Sequence, residues 1–370
     1  MKNLRSSSPR PLDLTPASSA SGRHPRNQRI DLFKCLAIYS VVFLHIKSGV
    51  WDQPVTALSR YAVPYFFLVS GYFAFGKRPK QLLRQAGRAA LMWAGAVGLV
   101  MLLCAAMILR HPGWSVWGYI VGQLTPQAAR EWLIGQVIPF PYAYHIWYTG
   151  ALPILYLIWS GISAIAGSEN VPYRRLAAVS CVLLAAHFTL SEGRGMQGEL
   201  PVNAIFLRTV WMDGLPFFAL GAWMHRDQEA ITARLTPGLA ITGVAGGSLL
   251  ALGEQDWAGV VDLYLGSSIA AVFLLAAALR WPTVKHPRLT KPLCFCGREL
   301  TFLIYAVHVP LHSALFIEWQ SSPLFLWGAA HLWTVPWIMA VLSTLAAISF
   351  WYLRQAGRMV FRRQRPHLKR

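Results

Sequence analysis

The stretch of residues 89–109, AALMWAGAVGLVMLLCAAMIL, contains no Asp, Glu, Lys or Arg. An α-helix needs about 20 mostly apolar residues to cross the hydrocarbon core of a bilayer, so this stretch predicts a transmembrane helix. Residues 235–253, 263–279 and 332–353 are equally free of charge. Several such segments in one chain are typical of a polytopic membrane protein, and the sequence therefore predicts an all-α fold.

The composition of the chain agrees with this interpretation. Of its 370 residues, 55% are hydrophobic and only 13% are charged, which is about half the charged fraction of an ordinary soluble domain. A soluble globular enzyme is thereby excluded. The apolar segments predict ten transmembrane helices, at residues 30–50, 58–76, 88–109, 146–166, 175–190, 204–225, 237–253, 258–280, 300–320 and 332–353.

Basic residues are distributed unevenly over the predicted loops. Loops rich in Lys and Arg stay on the cytoplasmic side of a membrane, and ten helices with both termini cytoplasmic put most of the 34 basic residues there. Those left for the outer side and its helix ends are Lys47, Arg60, Arg110, Arg130, Arg194 and Arg208. This topology explains the net charge of +19 without a nucleic-acid partner, which would need a basic soluble face.

The two ends of the chain differ from the predicted membrane domain, residues 29–353. Residues 1–28 are rich in Ser, Pro and Arg without an apolar run, which predicts a disordered basic cytoplasmic tail rather than a signal peptide. Residues 354–370 are predicted to be a second basic cytoplasmic tail. Among the five cysteines only Cys294 and Cys296 are close in sequence, which is too few ligands for a structural zinc site, so no metal is expected.

Polar residues of the first predicted helix are the main candidates for chemistry. A charge at mid-bilayer costs about 2.5–3.5 kcal/mol on insertion scales, so ionisable groups there indicate function. Lys34 and His45 share one helix face, about three turns or 16 Å apart, and Asp31 can pair with Lys34. In this interpretation Lys34 holds the phosphate of an anionic substrate. His45 then takes a proton from an attacking hydroxyl.

A structural interpretation of the polar residues stays open at this point. His45 can form a hydrogen bond between helices, and Lys34 can be a cation that reaches the membrane interface. Four further groups allow the same two interpretations, with an internal salt bridge or simple interfacial packing as the structural one. They are His145 with Trp147 and Tyr148, Tyr305 with His308, Arg208 with Asp213, and Arg84 with Arg88.

Several separated segments resemble the signatures of one family. They are RIDLFKCLAIYSVVFLH at residues 29–45, YFFLVSGYF at 65–73, HIWY at 145–148, RTVWMDGLPFFALG at 208–221 and FLIYAVHVP at 302–310. In order and spacing they are similar to the motifs of the acyltransferase 3 family, integral membrane enzymes that acylate surface carbohydrates. The family often has Arg at the position of Lys34, a change that keeps the charge but alters the hydrogen-bond geometry.

The resemblance implies a membrane O-acyltransferase. Its donor would be acyl-CoA, usually acetyl-CoA, used as a substrate with no bound cofactor. Its acceptor would be a sugar hydroxyl of an exopolysaccharide, an O-antigen or a lipid-linked glycan precursor. The resemblance further implies a multi-pass protein of the bacterial inner (plasma) membrane, with the lipid bilayer and polysaccharide assembly proteins as partners.

The resemblance also supports roles for individual residues. The catalytic group would comprise His45, Lys34 and Asp31. Donor binding would use Lys34, Ser70, Arg84 and Arg88. Acceptor binding would use His145, Trp147, Tyr148, Arg208, Tyr305 and His308.

Two rival functions use the same polar residues differently. A transporter or flippase of lipid-linked glycans would also carry buried His and Arg in a helix bundle, but the sequence shows no matching halves. A non-catalytic membrane scaffold leaves His45, His145 and His308 without a purpose. Acyl transfer by purified protein in detergent separates the enzyme from the transporter, because no second compartment exists there.

Overall fold

The computed structural model describes residues 26–109, 113, 115–123, 125–135, 144–199, 207–285, 287–316 and 322–363. All regular elements within these ranges are helical, as predicted. The α-helices are α1 Gln28–His45, α2 Asp52–Ser59, α3 Ala62–Tyr72, α4 Pro79–Ile108, α5 Val116–Gln123, α6 Pro126–Gly135, α7 Trp147–Ala166, α8 Tyr173–Leu190, α9 Glu192–Met196, α10 Leu215–Arg226, α11 Gln228–Arg234, α12 Pro237–Ala258, α13 Leu265–Arg280, α14 Pro287–Phe295, α15 Thr301–Phe316, α16 Pro323–Ala330 and α17 Val335–Arg363.

The predicted chain ends are only partly within these ranges. Residues 1–25 and 364–370 lie outside the described residues, and with them most of the first predicted tail and the end of the second. Helix α17 continues to Arg363 instead of ending at residue 353. The first part of the predicted second tail is therefore helical.

Five segments of the described chain are long and apolar enough to cross a membrane. They are Pro79–Ala106, Tyr144–Ala166, Tyr173–Met196, Arg288–Phe316 and Leu332–Met359. A sixth arises if α11 and α12, which meet at a bend of 95°, are one span. Each of the ten predicted segments contains a helix, but some are short, such as α3 with 11 residues. The count of ten spans stays a prediction.

Helix α1 runs through the bundle and defines its two ends. At the start of α1, Asn27 Nδ2 donates a hydrogen bond to the carbonyl oxygen of Ala278, near the end of α13 (2.7 Å). At the other end, His45 lines one cavity with Asp262, which precedes α13. The two helices are therefore antiparallel. We call the end near the start of α1 the Lys34 end and the opposite one the Arg60 end.

Helices α3 and α10 cross with their backbones in contact. A Cβ atom added at Gly71 would overlap the carbonyl oxygen of Phe218, and one added at Gly221 would overlap that of Leu68. Small residues allow such close approach between helices in a membrane. Gly71 in the motif at residues 65–73 and Gly221 in the motif at 208–221 are therefore explained by packing.

Two π-helical turns interrupt the regular hydrogen bonding. One is Val210–Gly214, directly before α10, and the other is Cys296–Leu300, directly before α15. A π turn inserts one residue into a helix and shifts the direction of the side chains around it. The first turn places Asp213 at the Arg60 end, and the second places Arg298 at the Lys34 end.

Candidate active site

Three imidazole rings from distant parts of the chain meet inside the bundle. His45 ends α1, His145 lies in the 3-10 turn before α7, and His308 lies in the middle of α15. Their ring centroids are 6.2 Å apart for His45 and His145, 5.5 Å for His45 and His308, and 5.0 Å for His145 and His308. We call these residues the histidine cluster. His145 and His308 are buried, whereas His45 is half-buried.

Hydrogen bonds fix the tautomer of His308. Its Nδ1 lies 3.1 Å from the carbonyl oxygen of Ile304 and 2.9 Å from that of Tyr305. Because a carbonyl oxygen can only accept, Nδ1 carries the proton. In neutral His308 the other nitrogen, Nε2, then holds a lone pair, and it has no hydrogen-bond partner among the described residues. His308 thus brings a ring nitrogen without a hydrogen-bond partner among the described residues into the histidine cluster.

Tyrosines connect the histidine cluster to the neighbouring helices. The Tyr305 hydroxyl donates a hydrogen bond to the backbone carbonyl oxygen of His145, which ties α15 to the turn before α7. The Tyr148 and Tyr305 rings are 5.9 Å apart. Ser70 Oγ donates to the carbonyl oxygen of Phe66 (2.8 Å) and lies 3.4 Å from the Tyr148 hydroxyl. These contacts hold the aromatic side chains beside the cluster in fixed positions.

A small polar cavity opens from the cluster toward the Arg60 end. Its volume is about 40 Å³, which is room for about three water molecules. Five predicted site residues line it: His45, His145, Trp147, Arg208 and Tyr305. Two charged residues that the sequence analysis did not name as site residues, Arg60 and Asp262, also line it. We call this cavity the outer pocket.

Salt bridges in the outer pocket differ from the predicted one. Arg208 pairs with Asp262 rather than with Asp213, and Arg60 Nη1 lies 3.4 Å from the same Asp262 Oδ1. Asp213 Oδ1 instead lies 3.2 Å from Nδ1 of the buried His187. The structural alternative of an internal salt bridge is therefore realised for Arg208, with a partner 54 positions along the chain.

A larger cavity, of about 600 Å³, extends from Tyr305, which also lines the outer pocket, to the Lys34 end. Its charged side chains are Lys34, Arg298, Glu299 and Arg354. Deeper in the cavity the lining changes to apolar and hydroxyl-bearing side chains, among them Ser70, Thr149, Tyr148 and Tyr305. We call this cavity the inner cavity. Tyr148 lies here, together with Ser70, and not in the outer pocket where its neighbour Trp147 lies.

The predicted pair of Asp31 and Lys34 does not form. Asp31 binds Arg26 with two hydrogen bonds, from Nε (2.6 Å) and from Nη2 (2.9 Å). This carboxylate raises the pKa of Arg26, which lies before the first helix. The bidentate geometry of a guanidinium favours this partner over an ammonium group one turn away. Asp31 therefore anchors the start of α1, and Lys34 lines the inner cavity without a hydrogen bond to Asp31.

Arg84 and Arg88 lie on the exposed surface of α4. Neither is among the residues that line the inner cavity. Arg298 and Arg354 occupy the positions beside Lys34 instead. The role of Arg84 and Arg88 in donor binding stays a prediction.

Five charged residues of the two cavities were not named as site residues by the sequence analysis: Arg60, Asp262, Arg298, Glu299 and Arg354. Each lies in or next to a basic or loop segment, where a charge is expected for topology alone. A weak signal existed for Asp262, because it is an acidic residue between two apolar helices. The described residues contain no group of three or more His, Cys, Asp or Glu side chains arranged to hold a metal ion.

Membrane-length helices and a histidine cluster beside two cavities that share Tyr305 define a membrane protein with an enzyme-like centre. The family model Acyl_transf_3, described as an acyltransferase domain, matches residues 27–355. The chain therefore belongs to the acyltransferase 3 family and is a membrane acyltransferase. No curated protein and no solved structure matched the chain.

Proposed function

We propose that the protein transfers an acyl group, in the first place acetyl, from acyl-CoA to a sugar hydroxyl of an exopolysaccharide, an O-antigen or a lipid-linked glycan precursor. The observation that carries the proposal is that the histidine cluster lines the outer pocket and contacts Tyr305, which also lines the inner cavity. The inner cavity would take the donor, and the outer pocket would take the reacting part of the acceptor. His45 and His145 each contact both other rings of the cluster and line the outer pocket, and of the two it is His45 that the resemblance to the family favours as the catalytic base.

The inner cavity suits coenzyme A in charge and shape. Lys34, Arg298 and Arg354 would bind its phosphates at the Lys34 end, because ammonium and guanidinium groups form charge-assisted hydrogen bonds with phosphate. The distance along α1 from Lys34 to His45 is about 16 Å, which requires a long arm such as pantetheine. The apolar lining with scattered hydroxyls would accommodate that arm.

The chemistry needs one proton to move twice. His45 would take the proton of the acceptor hydroxyl while the hydroxyl oxygen forms a bond to the thioester carbonyl carbon. The carbon–sulfur bond then breaks, and the protonated His45 returns the proton to the departing thiolate sulfur. His308 Nε2, with no partner among the described residues, would stabilise the protonated state of its neighbour. A route through an acyl-His45 intermediate uses the same groups in two steps.

The proposal includes an orientation in the bacterial inner membrane. Ten spans with cytoplasmic termini would put the Lys34 end in the cytoplasm, where acyl-CoA is made, and the Arg60 end outside. Polysaccharide assembly proteins would deliver or receive the glycan there. Two variants carry a single cysteine, at position 208 or at position 354, in a cysteine-free background. An impermeant thiol reagent should label the cysteine at 208 only when added outside and the cysteine at 354 only when added inside. Labelling of both from one side contradicts this orientation.

Purified protein in detergent tests the activity itself. We expect acetyl-CoA and an extracted surface glycan to yield free coenzyme A and an acetylated glycan, measured by a thiol reagent and by mass spectrometry. A strain that lacks the gene should lose the same acyl mass from its surface glycans. A transporter would produce neither product in detergent, so absence of both with folded protein contradicts the proposed function.

A further inference from the structure

The outer pocket contains a cluster of three charged side chains that the reaction above does not use. Arg60 follows α2, Arg208 precedes the first π turn, and Asp262 lies between α12 and α13. Both arginines contact one carboxylate oxygen, Asp262 Oδ1. The exposed fractions of the three side chains are 15%, 25% and 10%. Three separate parts of the chain thus converge on one largely buried site.

The cluster has more positive than negative charge. One arginine is enough for a structural salt bridge to Asp262. Burial of a second cation beside a carboxylate that is already paired costs free energy, so a structural role does not explain the second arginine. The other acid that lines the pocket, Asp213, has its Oδ1 3.2 Å from Nδ1 of His187. The two guanidinium groups of the cluster therefore share the one carboxylate of Asp262.

Hydrogen-bond donors are also in excess. Each guanidinium has five N–H donors in a plane, and Arg60 Nε is buried without a hydrogen-bond partner among the described residues. An unsatisfied buried donor costs about 1–3 kcal/mol. A ligand with several acceptor oxygens in this pocket would remove that cost. The cavity volume of about 40 Å³ fits one small oxyanion group, and not a whole sugar ring.

We propose that Arg60 and Arg208 bind an anionic group of the acceptor, a carboxylate or a phosphate carried close to the hydroxyl that is acylated. This inference rests on the proposed function, since it names the class of acceptor. The guanidinium plane matches both oxyanions with two parallel hydrogen bonds. Asp262 holds the two arginines at a fixed separation. An anion bound there would bring a neighbouring hydroxyl to His45, which lines the same pocket.

Ligand-dependent thermal unfolding of the purified protein tests the site without any turnover. The probes are D-glucuronate, D-glucose 1-phosphate and D-glucose at equal ionic strength. We expect the charged sugars to raise the melting temperature and glucose to leave it unchanged. A shift with glucuronate alone identifies a sugar carboxylate, and a shift with glucose 1-phosphate alone identifies a sugar phosphate. No difference between the charged sugars and glucose overturns the proposal.

Matched variants assign the effect to the pocket. Arg60→Gln should weaken binding of the charged sugar at least about tenfold, as expected for one lost charge-assisted pair. Arg60→Lys, which keeps the charge and the fold but not the planar donors, should weaken it less. Arg194→Gln removes an exposed arginine that pairs with Glu199, and it should have no effect. Equal loss in Arg194→Gln contradicts a specific site.

The donor provides the last control. Coenzyme A should still raise the melting temperature of Arg60→Gln as much as that of the unmodified protein. An equal loss of coenzyme A binding would make Arg60 part of the donor site and overturn the proposal. Anion binding without acyl transfer would contradict the proposed function but not the site. Acyl transfer to glycans at an unchanged rate in Arg60→Gln would contradict the site alone.

Discussion

The inner cavity and the outer pocket differ in size, in exposure and in the way their charges are held. The inner cavity has a volume of about 600 Å³, and its arginines Arg298 and Arg354 are exposed. The outer pocket has about 40 Å³, and its arginines are fixed by Asp262. Exposed arginine side chains can change conformation to bind a flexible polyanion. Arginines that are largely buried and held by a salt bridge bind only a ligand of matching geometry. Under the proposed function, these differences suit a common donor in the inner cavity and a specific acceptor in the outer pocket.

The largest effect that this comparison predicts concerns the residue between the cavities. His45→Ala should lower acyl transfer at least about 100-fold, because general acid–base catalysis commonly contributes that much. Binding of coenzyme A and of the acceptor should survive, since neither cavity loses a charge. The measurement is coenzyme A release by purified protein, with His331→Ala as the control for a histidine outside the cluster. Normal turnover in His45→Ala contradicts the mechanism.

His308 allows a finer test of the same centre. Asn at position 308 can still donate to the backbone carbonyl oxygens that Nδ1 contacts, but it lacks Nε2. His308→Asn should therefore fold normally and lose about 10- to 100-fold in kcat, with little change in the donor KM. His308→Gln, whose amide reaches farther, should recover part of the rate. A change in KM alone would mean that His308 only shapes the inner cavity.

A moderate effect is expected at the Lys34 end. Lys34→Ala should raise the apparent KM for acyl-CoA about tenfold, because one charge-assisted hydrogen bond to phosphate is lost. Lys34→Arg should stay close to the unmodified protein. Arg354→Gln should raise this KM more than the double variant Arg84→Gln/Arg88→Gln, since of these three arginines only Arg354 lines the inner cavity. The reverse order would favour the surface of α4 as the donor site.

The smallest effect lies away from both cavities, at the pair of Arg174 and Asp227 between α8 and α10. Hydrogen bonds from Arg174 and Trp223 lower the pKa of Asp227. A carboxyl group with a lowered pKa in the folded state stabilises the protein above its unfolded pKa, and this contribution is lost as the pH falls through the folded value. Asp227→Asn should cost about 0.2–1 kcal/mol at neutral pH, as exposed ion pairs do.

Thermal unfolding at two pH values measures this contribution. The difference in melting temperature between the unmodified protein and Asp227→Asn should be present at pH 7. It should shrink at a pH below the folded pKa of Asp227. Donor and acceptor kinetics should not change, because the pair contacts neither cavity. A difference that grows in acid would contradict the sign of the pKa shift.

The sequence predicted those features that depend on local chain properties. Apolar runs such as residues 89–109 predicted the helices, because hydrophobic length is a local property. The spacing of Lys34 and His45 predicted one helix face with two polar ends. The resemblance to the family predicted that His145, Tyr305 and His308 belong with His45, and the structure brings these side chains together.

The rest depended on contacts that no local pattern contains. The partner of Asp31 is Arg26, in the segment predicted to be a disordered tail, and the partner of Arg208 is 54 positions away. The π turns shift the direction of side chains by one residue, so a regular helical period misplaces Asp213 and Arg298. Tyr148 and Trp147 are adjacent in sequence, yet they face different cavities.

The backbone contact at Gly71 and Gly221 has a consequence for the diversity of such enzymes. Ser70, next to Gly71, faces the inner cavity, and Phe217, one turn before Gly221, faces the outer pocket. The distance between the inner cavity and the outer pocket is therefore set by main-chain atoms. Substitution of the side chains that line either cavity does not change these atoms. Under the proposed function, mutation can reshape one cavity for a new sugar or a new acyl chain while the position of the other cavity is kept. Donor and acceptor preference would then evolve separately on the same backbone.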